Sequence, residues 1–395
     1  MSLVVVHSIL LPTRAPDPCS LQRRNEGARR PTMTVSARVI SSGGGPTPAV
    51  GVRSAGRRQP RLWATGQDGT VPALTELDWS DNFAETGWIA KGLSPSGETI
   101  AVHFVPSGFE AYARILHPVE ELQGGEARLV RWHEVAAWSG LPLHAYARFH
   151  SVALPPEPVD GPAPWSGSGP RGGSLSPPDA AVLIDHLRLH TATPERCWFC
   201  LWEGAGWYGG LIPDAVEIGP RVRLPHRNHY LYRGPVDAAL VGYPGRPPDH
   251  TANLWWPNDH AWCVASDVDP SWSYVGGSHA LVEALVSEPA LEVFEVEPDV
   301  PVVRVGAAPW IERWVSDAVE AVVSEGHATI PTSVGTVEAW LEPSPGRGWL
   351  RTTRRSAWGN RGSAGHSINT SGDEAVFRDA LSANLRWDIV ELVGD

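Results

Sequence analysis

Segments in which apolar and polar residues alternate predict the strands of this chain. Successive side chains of a strand point to opposite faces, so a half-buried strand repeats its apolar positions with a period of two. Residues 106–108 form a turn between the first two predicted strands. The predicted strands are residues 99–105, 110–117, 197–202, 221–224, 230–232, 260–267, 291–296, 328–332, 337–341, 349–353 and 387–393.

Segments with a period of 3.6 residues predict the helices. Ser278 is a good N-cap for the helix that follows it. Pro309 and Gly326 mark the first turn and the end of another helix. The predicted helices are residues 132–138, 179–190, 278–288, 309–323 and 374–385.

The order of these elements predicts an α+β fold. Strands and helices do not alternate strictly, which favours a mixed or mainly antiparallel sheet with helices packed on it over a doubly wound sheet. We predict a main α+β domain over residues 73–298 and a smaller C-terminal α+β unit over residues 299–395. A segment rich in Pro, Gly and Ser, residues 155–178, predicts a long loop inside the main domain.

The N-terminal part differs in composition from the rest. Residues 1–72 show neither period and hold ten Arg and three acidic residues, a net charge of +7. Charged segments rich in Gly and Pro rarely bury enough apolar surface to fold. We therefore predict a disordered basic arm.

The remaining residues are acidic and rich in tryptophan. They hold 22 basic and 41 acidic residues, a net of −19, and the chain has 19 tryptophans. Nucleic-acid binding needs clustered Lys and Arg, so we expect none through this body, and we expect a protein partner or a small molecule instead. No apolar run approaches about 18 residues, which predicts no membrane span. The N-terminus lacks signal-peptide features, so we expect a cytoplasmic protein.

A glycine-rich stretch, residues 204–209, matches G-x-G-x-x-G after a predicted strand. Dinucleotide binding also needs a helix that begins on those glycines. No helical period follows, and Trp207 and Tyr208 are bulky where a phosphate must approach. We therefore predict a hairpin or loop, and no cofactor.

His186, His190, Cys197 and Cys200 are possible zinc ligands close together in the sequence. However, positions three apart on a strand face opposite sides, so the two thiols of the strand predicted at 197–202 diverge. We expect buried thiols and no metal. A structural zinc site and a dithiol redox site remain alternatives.

One segment combines ionisable side chains with aromatic ones. Asp259 and His260 follow Trp255 and Trp256, and Asp267 lies at a strand end. A neighbouring Asp and His can perform acid–base chemistry. We predict that the three ionisable residues lie on the rim of the main pocket with a tryptophan as its wall. A simple hairpin with polar turns is the alternative.

Three further residues complete the predicted ligand-binding set. Tyr274 precedes Ser278 at a predicted helix N-terminus, where backbone N–H groups can bind an anion. Glu195 lies before the predicted strand at 197–202. A plain N-cap role for Ser278 is the alternative.

Four stretches resemble phrases of an uncharacterised protein family from high-GC, actinobacterial-type bacteria. They are PSGFEAYARILHP (106–118), CWFCLWEG (197–204), NLWWP (253–257) and YVGGS (274–278). The resemblance covers roughly residues 75–298 and implies one folded unit in a cytoplasmic setting. That family has no assigned activity, so the resemblance implies no catalytic residue.

Two functional hypotheses follow. The first is a non-catalytic binding protein that recognises a partner protein or small ligand through an acidic, tryptophan-rich surface. The second is an enzyme of unrecognised type with acid–base chemistry around Asp259 and His260. A deep pocket of convergent polar side chains favours the enzyme, and a flat, acidic, aromatic face favours the binding protein.

Overall fold

The computed structural model describes residues 77–95, 100–123, 126–204, 214–241, 250–302, 308–344, 347–357, 361–369, 373–390 and 392. All of them belong to one compact unit. The predicted N-terminal arm and most of the glycine-rich stretch at 204–209 lie outside the described residues.

The strands of the described chain form two larger antiparallel sheets and two short hairpins. In chain order they are β1 (Asp78–Trp79), β2 (Ala111–Leu116), β3 (Val119–Gln123), β4 (Glu126–Val130), β5 (Cys197–Trp202), β6 (Val222–Arg223), β7 (Asn228–Gly234), β8 (Leu240–Val241), β9 (His250–Thr251), β10 (Leu254–Pro257), β11 (Cys263–Ala265), β12 (Trp272–Gly277), β13 (Val293–Glu295), β14 (His327–Thr332), β15 (Gly335–Ser344), β16 (Arg347–Ser356) and β17 (Arg361–Asn369). The large sheet has the order β1-β7-β5-β10-β11-β12-β2-β13, with β6 also paired to β7. The small sheet has the order β14-β15-β16-β17.

The helices pack against these sheets. In chain order they are α1 (Gly87–Gly92), α2 (Ala101–Phe104), α3 (Trp132–Ser139), α4 (Phe149–Ala153), α5 (Pro177–Leu189), α6 (Asp214–Glu217), α7 (His279–Val286), α8 (Pro309–Glu325) and α9 (Glu374–Val390). Among the described residues, no helix is long and apolar enough to cross a lipid bilayer.

Both faces of the large sheet are covered, which explains why strand β5 is an almost unbroken apolar run. One face packs against α5 and α7 through Leu183 and Leu281. The other face packs against α3 and α4 through Trp132 and Phe149. The buried side chains of this second face continue into α8, the small sheet and α9.

The predicted α+β fold is confirmed, but three segments differ from their predictions. Residues 101–104 form helix α2 instead of a strand, because Ala101 and Val105, four positions apart, are both buried. Residues 387–390 continue α9 instead of forming a strand, because Asp388 and Ile389 follow Leu385 on its buried face. The strand predicted at 260–267 shortens to β11, since His260 has a left-handed φ of 56° that ends the extended backbone.

Candidate ligand-binding cleft

A cleft lies at one end of the large sheet, where β7 and β10 begin and β11 ends. It holds about 420 Å³ of empty space, part of it open to solvent. Its walls come from α2, from the loop between β6 and β7, and from the strand ends themselves. Antiparallel pairing brings these strand ends together, although they are far apart in the sequence.

The floor of the cleft is apolar. Leu254 of β10 and Ala265 of β11 are direct cross-strand partners, and both line it. Leu224 lines the edge, and Phe104 lines the wall with its ring stacked 5.6 Å from that of Tyr274. These side chains favour a ligand with an apolar body.

Two imidazole rings stack in the wall. The ring centres of His103, on α2, and His226, in the β6–β7 loop, are 3.7 Å apart. Nε2 of His226 lies 3.3 Å from the carbonyl oxygen of Ser94. Both rings line the cleft and add aromatic surface to its wall.

His229, on β7, is a buried ionisable side chain of the cleft. It is 6% exposed, and its Nδ1 is fully buried. Burial is the main cause that lowers the pKa of His229 to about 4; the Asp267 carboxylate and a hydrogen bond with the Arg227 backbone oppose this shift, and the Arg227 guanidinium adds to it. The imidazole is therefore neutral at pH 7 and can accept or donate one hydrogen bond through Nδ1, depending on its tautomer.

An ion-pair network forms the polar rim. Nε of Arg227 donates to Oδ1 of Asp267 at 2.8 Å, and Nη2 donates to Oδ2 of Asp269 at 3.1 Å. The guanidinium carbon lies 4.5 Å from the ring centre of Trp202. Asp267 also accepts from the N–H of Val268 at 2.7 Å. The carboxylate and the guanidinium hold each other in place.

Asn253 fixes the strand ends behind the cleft. Its Oδ1 accepts from the N–H of Trp202 at 2.8 Å, and its Nδ2 donates to the carbonyl of Ser266 at 3.2 Å. One side chain therefore ties the ends of β5 and β11 to the start of β10, which keeps the cleft walls rigid.

Of the predicted rim residues, Asp267 lines the cleft, while Asp259 and His260 lie at the opposite end of β10. Both oxygens of Asp259 accept hydrogen bonds, from the Thr191 hydroxyl at 2.8 Å and from the N–H of Ala192 at 2.7 Å. Burial alone raises the pKa of Asp259, but hydrogen bonds from these groups and from Ala261 and Thr193 lower it overall. The Asp259 carboxylate joins its own loop to the loop of Thr191 and Ala192, and this structural role explains its position.

The predicted tryptophan wall is also absent from the cleft. Trp255 and Trp256 are both fully buried, and successive strand residues point to opposite faces. Trp255 packs edge-on against Trp262, and Trp256 packs against Trp88. The ring of His260 stacks on that of Trp88 at 4.4 Å. Trp255, Trp256 and Trp262 belong to the core, and His260 and Trp88 pack over it, away from the cleft.

The other predicted ligand-binding residues are dispersed. Tyr274 is buried behind Phe104, so it supports the cleft wall from inside. Ser278 accepts from the N–H of Leu281 at 3.3 Å and caps α7. Glu195 is exposed before β5, at the end of the sheet away from the cleft.

The His and Cys cluster does not converge. His186 Nε2 lies 3.0 Å from Glu288 Oε2, and His190 follows the last turn of α5. Cys197 and Cys200 belong to the cores on opposite faces of the sheet, as strand geometry requires. Among the described residues, no group of three or more His, Cys, Asp and Glu side chains has a geometry suited to a metal ion.

Little in the sequence predicts the cleft. Its histidines and Arg227 come from segments that carry no motif, and only the cluster of His226, Arg227 and His229 in four positions is a recognisable signal. His103 is distant from these three residues in the sequence and lies in the strand predicted at residues 99–105. Comparisons with known proteins add no homologue: no family model, curated protein or solved structure matches this chain.

Proposed function

We propose that this is a non-catalytic binding protein whose cleft takes a small, mainly apolar ligand that carries one hydrogen-bonding group. The observation that carries the proposal is the lining of the cleft, in which an apolar floor of Leu254 and Ala265 lies beside the neutral imidazole of His229. An apolar lining with a few polar groups is typical of small-molecule sites. A ligand with an apolar body and one hydrogen-bonding group matches this lining.

The lining of the cleft supports an aromatic ligand. The floor of Leu254 and Ala265 suits an apolar ring, and the stacked His103 and His226 offer aromatic surface for it.

The electrostatics favour binding over catalysis. A general acid or base works best when its pKa lies near the working pH, whereas the pKa of His229 is lowered to about 4. Asp267 is held by Arg227. Burial, followed by the nearby Asp259, Glu195 and Asp237 carboxylates, raises the pKa of Cys197 to about 12, so its thiol stays protonated.

Saturation-transfer NMR with phenol, indole and toluene tests this proposal. We expect all three to bind the cleft, and we expect Leu224→Trp to abolish binding because the larger ring fills the cleft edge. His229→Phe should weaken phenol and indole but spare toluene, which makes no hydrogen bond.

Leu189→Trp is the matched control, because Leu189 is 81% exposed at the end of α5 on the other side of the sheet. Its binding should equal that of the unmodified protein. Absence of binding by all three compounds, or unchanged binding by Leu224→Trp, would refute the proposal.

A further inference from the structure

The small sheet has one covered face and one open face. Val337 of β15 and Leu350 of β16 are fully buried on the covered face, toward α8 and α9. Two tryptophans are exposed on the open face, Trp340 at 41% and Trp349 at 48%. Large aromatic side chains usually avoid such exposure, so this face carries an unpartnered aromatic surface.

The two rings occupy neighbouring strands. Trp340 pairs with Arg351, and Trp349 pairs with Glu342, so the tryptophans are diagonal neighbours in the register. Diagonal neighbours lie about 7–8 Å apart at Cα, close enough for two consecutive stacked groups of one extended ligand. On β17, the residue opposite Trp349 is Ser367. The small serine side chain leaves the Trp349 ring uncovered on that side.

Arginines surround the rings although the body is acidic. Arg347, Arg351 and Arg355 of β16 and Arg361 of β17 are exposed on this face. Arg351 pairs with Glu342 at 2.8 Å, and the Arg355–Glu338 distance is 3.8 Å. Within the described part of the chain, neither Arg347 nor Arg361 forms an ion pair.

The register also opposes two like charges. Arg355 and Arg361 are direct cross-strand partners. Like charges in this position destabilise a sheet, and Glu338 lies near only one of the two, Arg355. An anion that both guanidinium groups can contact would offset the remaining charge.

We propose that the open face binds single-stranded nucleic acid, with bases stacked on Trp340 and Trp349. Arg347, Arg355 and Arg361 contact its phosphate groups. Aromatic rings on a sheet beside arginines are the means by which proteins bind single strands, because every base has a face that stacks and every nucleotide has a charge.

This inference revises the expectation drawn from net charge. Charges farther away than about 8 Å are largely screened at physiological ionic strength, so the local charges of this face decide. Glu338 and Glu342 lie on it beside four arginines, which leaves the face with a net positive charge. An acidic peptide also suits arginines, but it offers no flat groups to two exposed tryptophans. The observations therefore favour nucleic acid.

Fluorescence anisotropy with the full chain tests the proposal. The probes are labelled oligo-uridine RNA and oligo-thymidine DNA, each about 12 nucleotides long. We expect the double variant Trp340→Ala/Trp349→Ala to bind at least about tenfold more weakly. The control is Trp387→Ala, because Trp387 is equally exposed, at 48%, but lies on α9.

A second pair of variants tests the phosphate contacts. Arg361→Glu should weaken binding and reduce the slope of log affinity against log salt by about 0.7. Arg313→Glu makes the same charge change on the exposed side of α8 and should have a much smaller effect. Circular dichroism confirms that each variant folds.

Each outcome decides the question. Tryptophan-dependent binding of RNA, DNA or both supports the proposal and shows which sugar is preferred. Lack of binding by both strands overturns it, and so does equal binding by the double tryptophan variant, which would place the contact in the basic residues 1–72. Binding of poly-glutamate with the same tryptophan dependence overturns it in favour of an acidic peptide.

Discussion

At the scale of single residues, His117 shows how burial sets charge. It is fully buried, with Nδ1 2.7 Å from the carbonyl of Arg171 and Nε2 2.8 Å from Oγ of Ser273. Because a carbonyl only accepts, Nδ1 carries the proton and Nε2 accepts from the serine hydroxyl. Burial is the main cause that lowers the pKa of His117 to about 4; the hydrogen bond to the Arg171 carbonyl opposes the shift, and the charges of Arg114 and Arg171 add to it.

The lowered pKa of His117 predicts that the protein loses stability in acid. Unfolded histidine takes up a proton below a pH of about 6.5, while folded His117 stays neutral until about pH 4. Unfolding therefore binds a proton in that window, and the free energy of unfolding falls as the pH falls, by about 1.4 kcal/mol per pH unit for each such histidine.

Urea unfolding between pH 7 and pH 4 measures this slope. His117→Gln should be less stable at pH 7 and should show a shallower slope, and His229→Gln should behave in the same way. An unchanged slope in both variants would contradict the burial argument.

Asp259 provides a second test at this scale. The sequence predicts Asp259 on the rim of the main pocket, but its carboxylate accepts hydrogen bonds from Thr191 and Ala192. Asp259→Ala should lower the free energy of unfolding by about 1–2 kcal/mol. Chemical denaturation measures this, and Glu195→Ala, exposed at the same end of the sheet, should change it by less than about 0.5 kcal/mol.

At the scale of elements, α9 is attached to the small sheet by a buried charge. Asp388 is fully buried, with Oδ2 3.2 Å from Nε2 of His366 and Oδ1 3.5 Å from Nη1 of Arg354. Two neighbouring strands and one helix therefore depend on a single carboxylate.

Removal of that carboxylate should be costly. Asp388→Ala removes the buried carboxylate that pairs with Arg354 and hydrogen-bonds His366, so we expect a loss of about 3–5 kcal/mol in the free energy of unfolding. Asp379→Ala, exposed on the same helix, is the control and should have little effect. A small loss for Asp388→Ala would show that water replaces the carboxylate.

The same helix shows what local pattern can and cannot predict. The 3.6-residue period predicts the first part of α9, residues 374–385. Gly326 correctly predicts the end of the preceding helix, α8. The predicted strand at residues 387–393 was wrong. Trp, Ile and Val favour strands locally, but the buried packing of Ile389 keeps residues 387–390 in the helix. Strand β17 was not predicted because Gly and Ser dominate it, and only pairing with β16 makes it a strand.

At the scale of the whole molecule, the cleft depends on topology. Asp267 was predicted for the main pocket from the sequence, and it does line the cleft. His103 and His229 could not be grouped with it, because α2 and β7 meet β11 only through the order of the sheet. Asp259 and His260 are close to Asp267 in the sequence. Strand β11 lies between the pair and Asp267, and it places the pair and Asp267 at opposite ends of the sheet.

The two sheets also share one hydrophobic core. Buried side chains of α8, the small sheet and α9 form a single cluster with those on one face of the large sheet. Trp310 Nε1 donates to the carbonyl of Leu154 at 2.6 Å, and Ser333 Oγ donates to that of Pro155 at 2.6 Å. Elements that share a core usually unfold together.

We therefore predict one cooperative unfolding transition for both sheets. Leu350→Ala creates a cavity in the small sheet and should cost about 2–5 kcal/mol. In differential scanning calorimetry it should lower the whole transition instead of splitting it, and Leu183→Ala, buried on the other face of the large sheet, should lower the same transition. Two transitions, with Leu350→Ala shifting one and Leu183→Ala the other, would show instead that residues 299–395 fold as a separate unit, because each cavity would then destabilise only its own core.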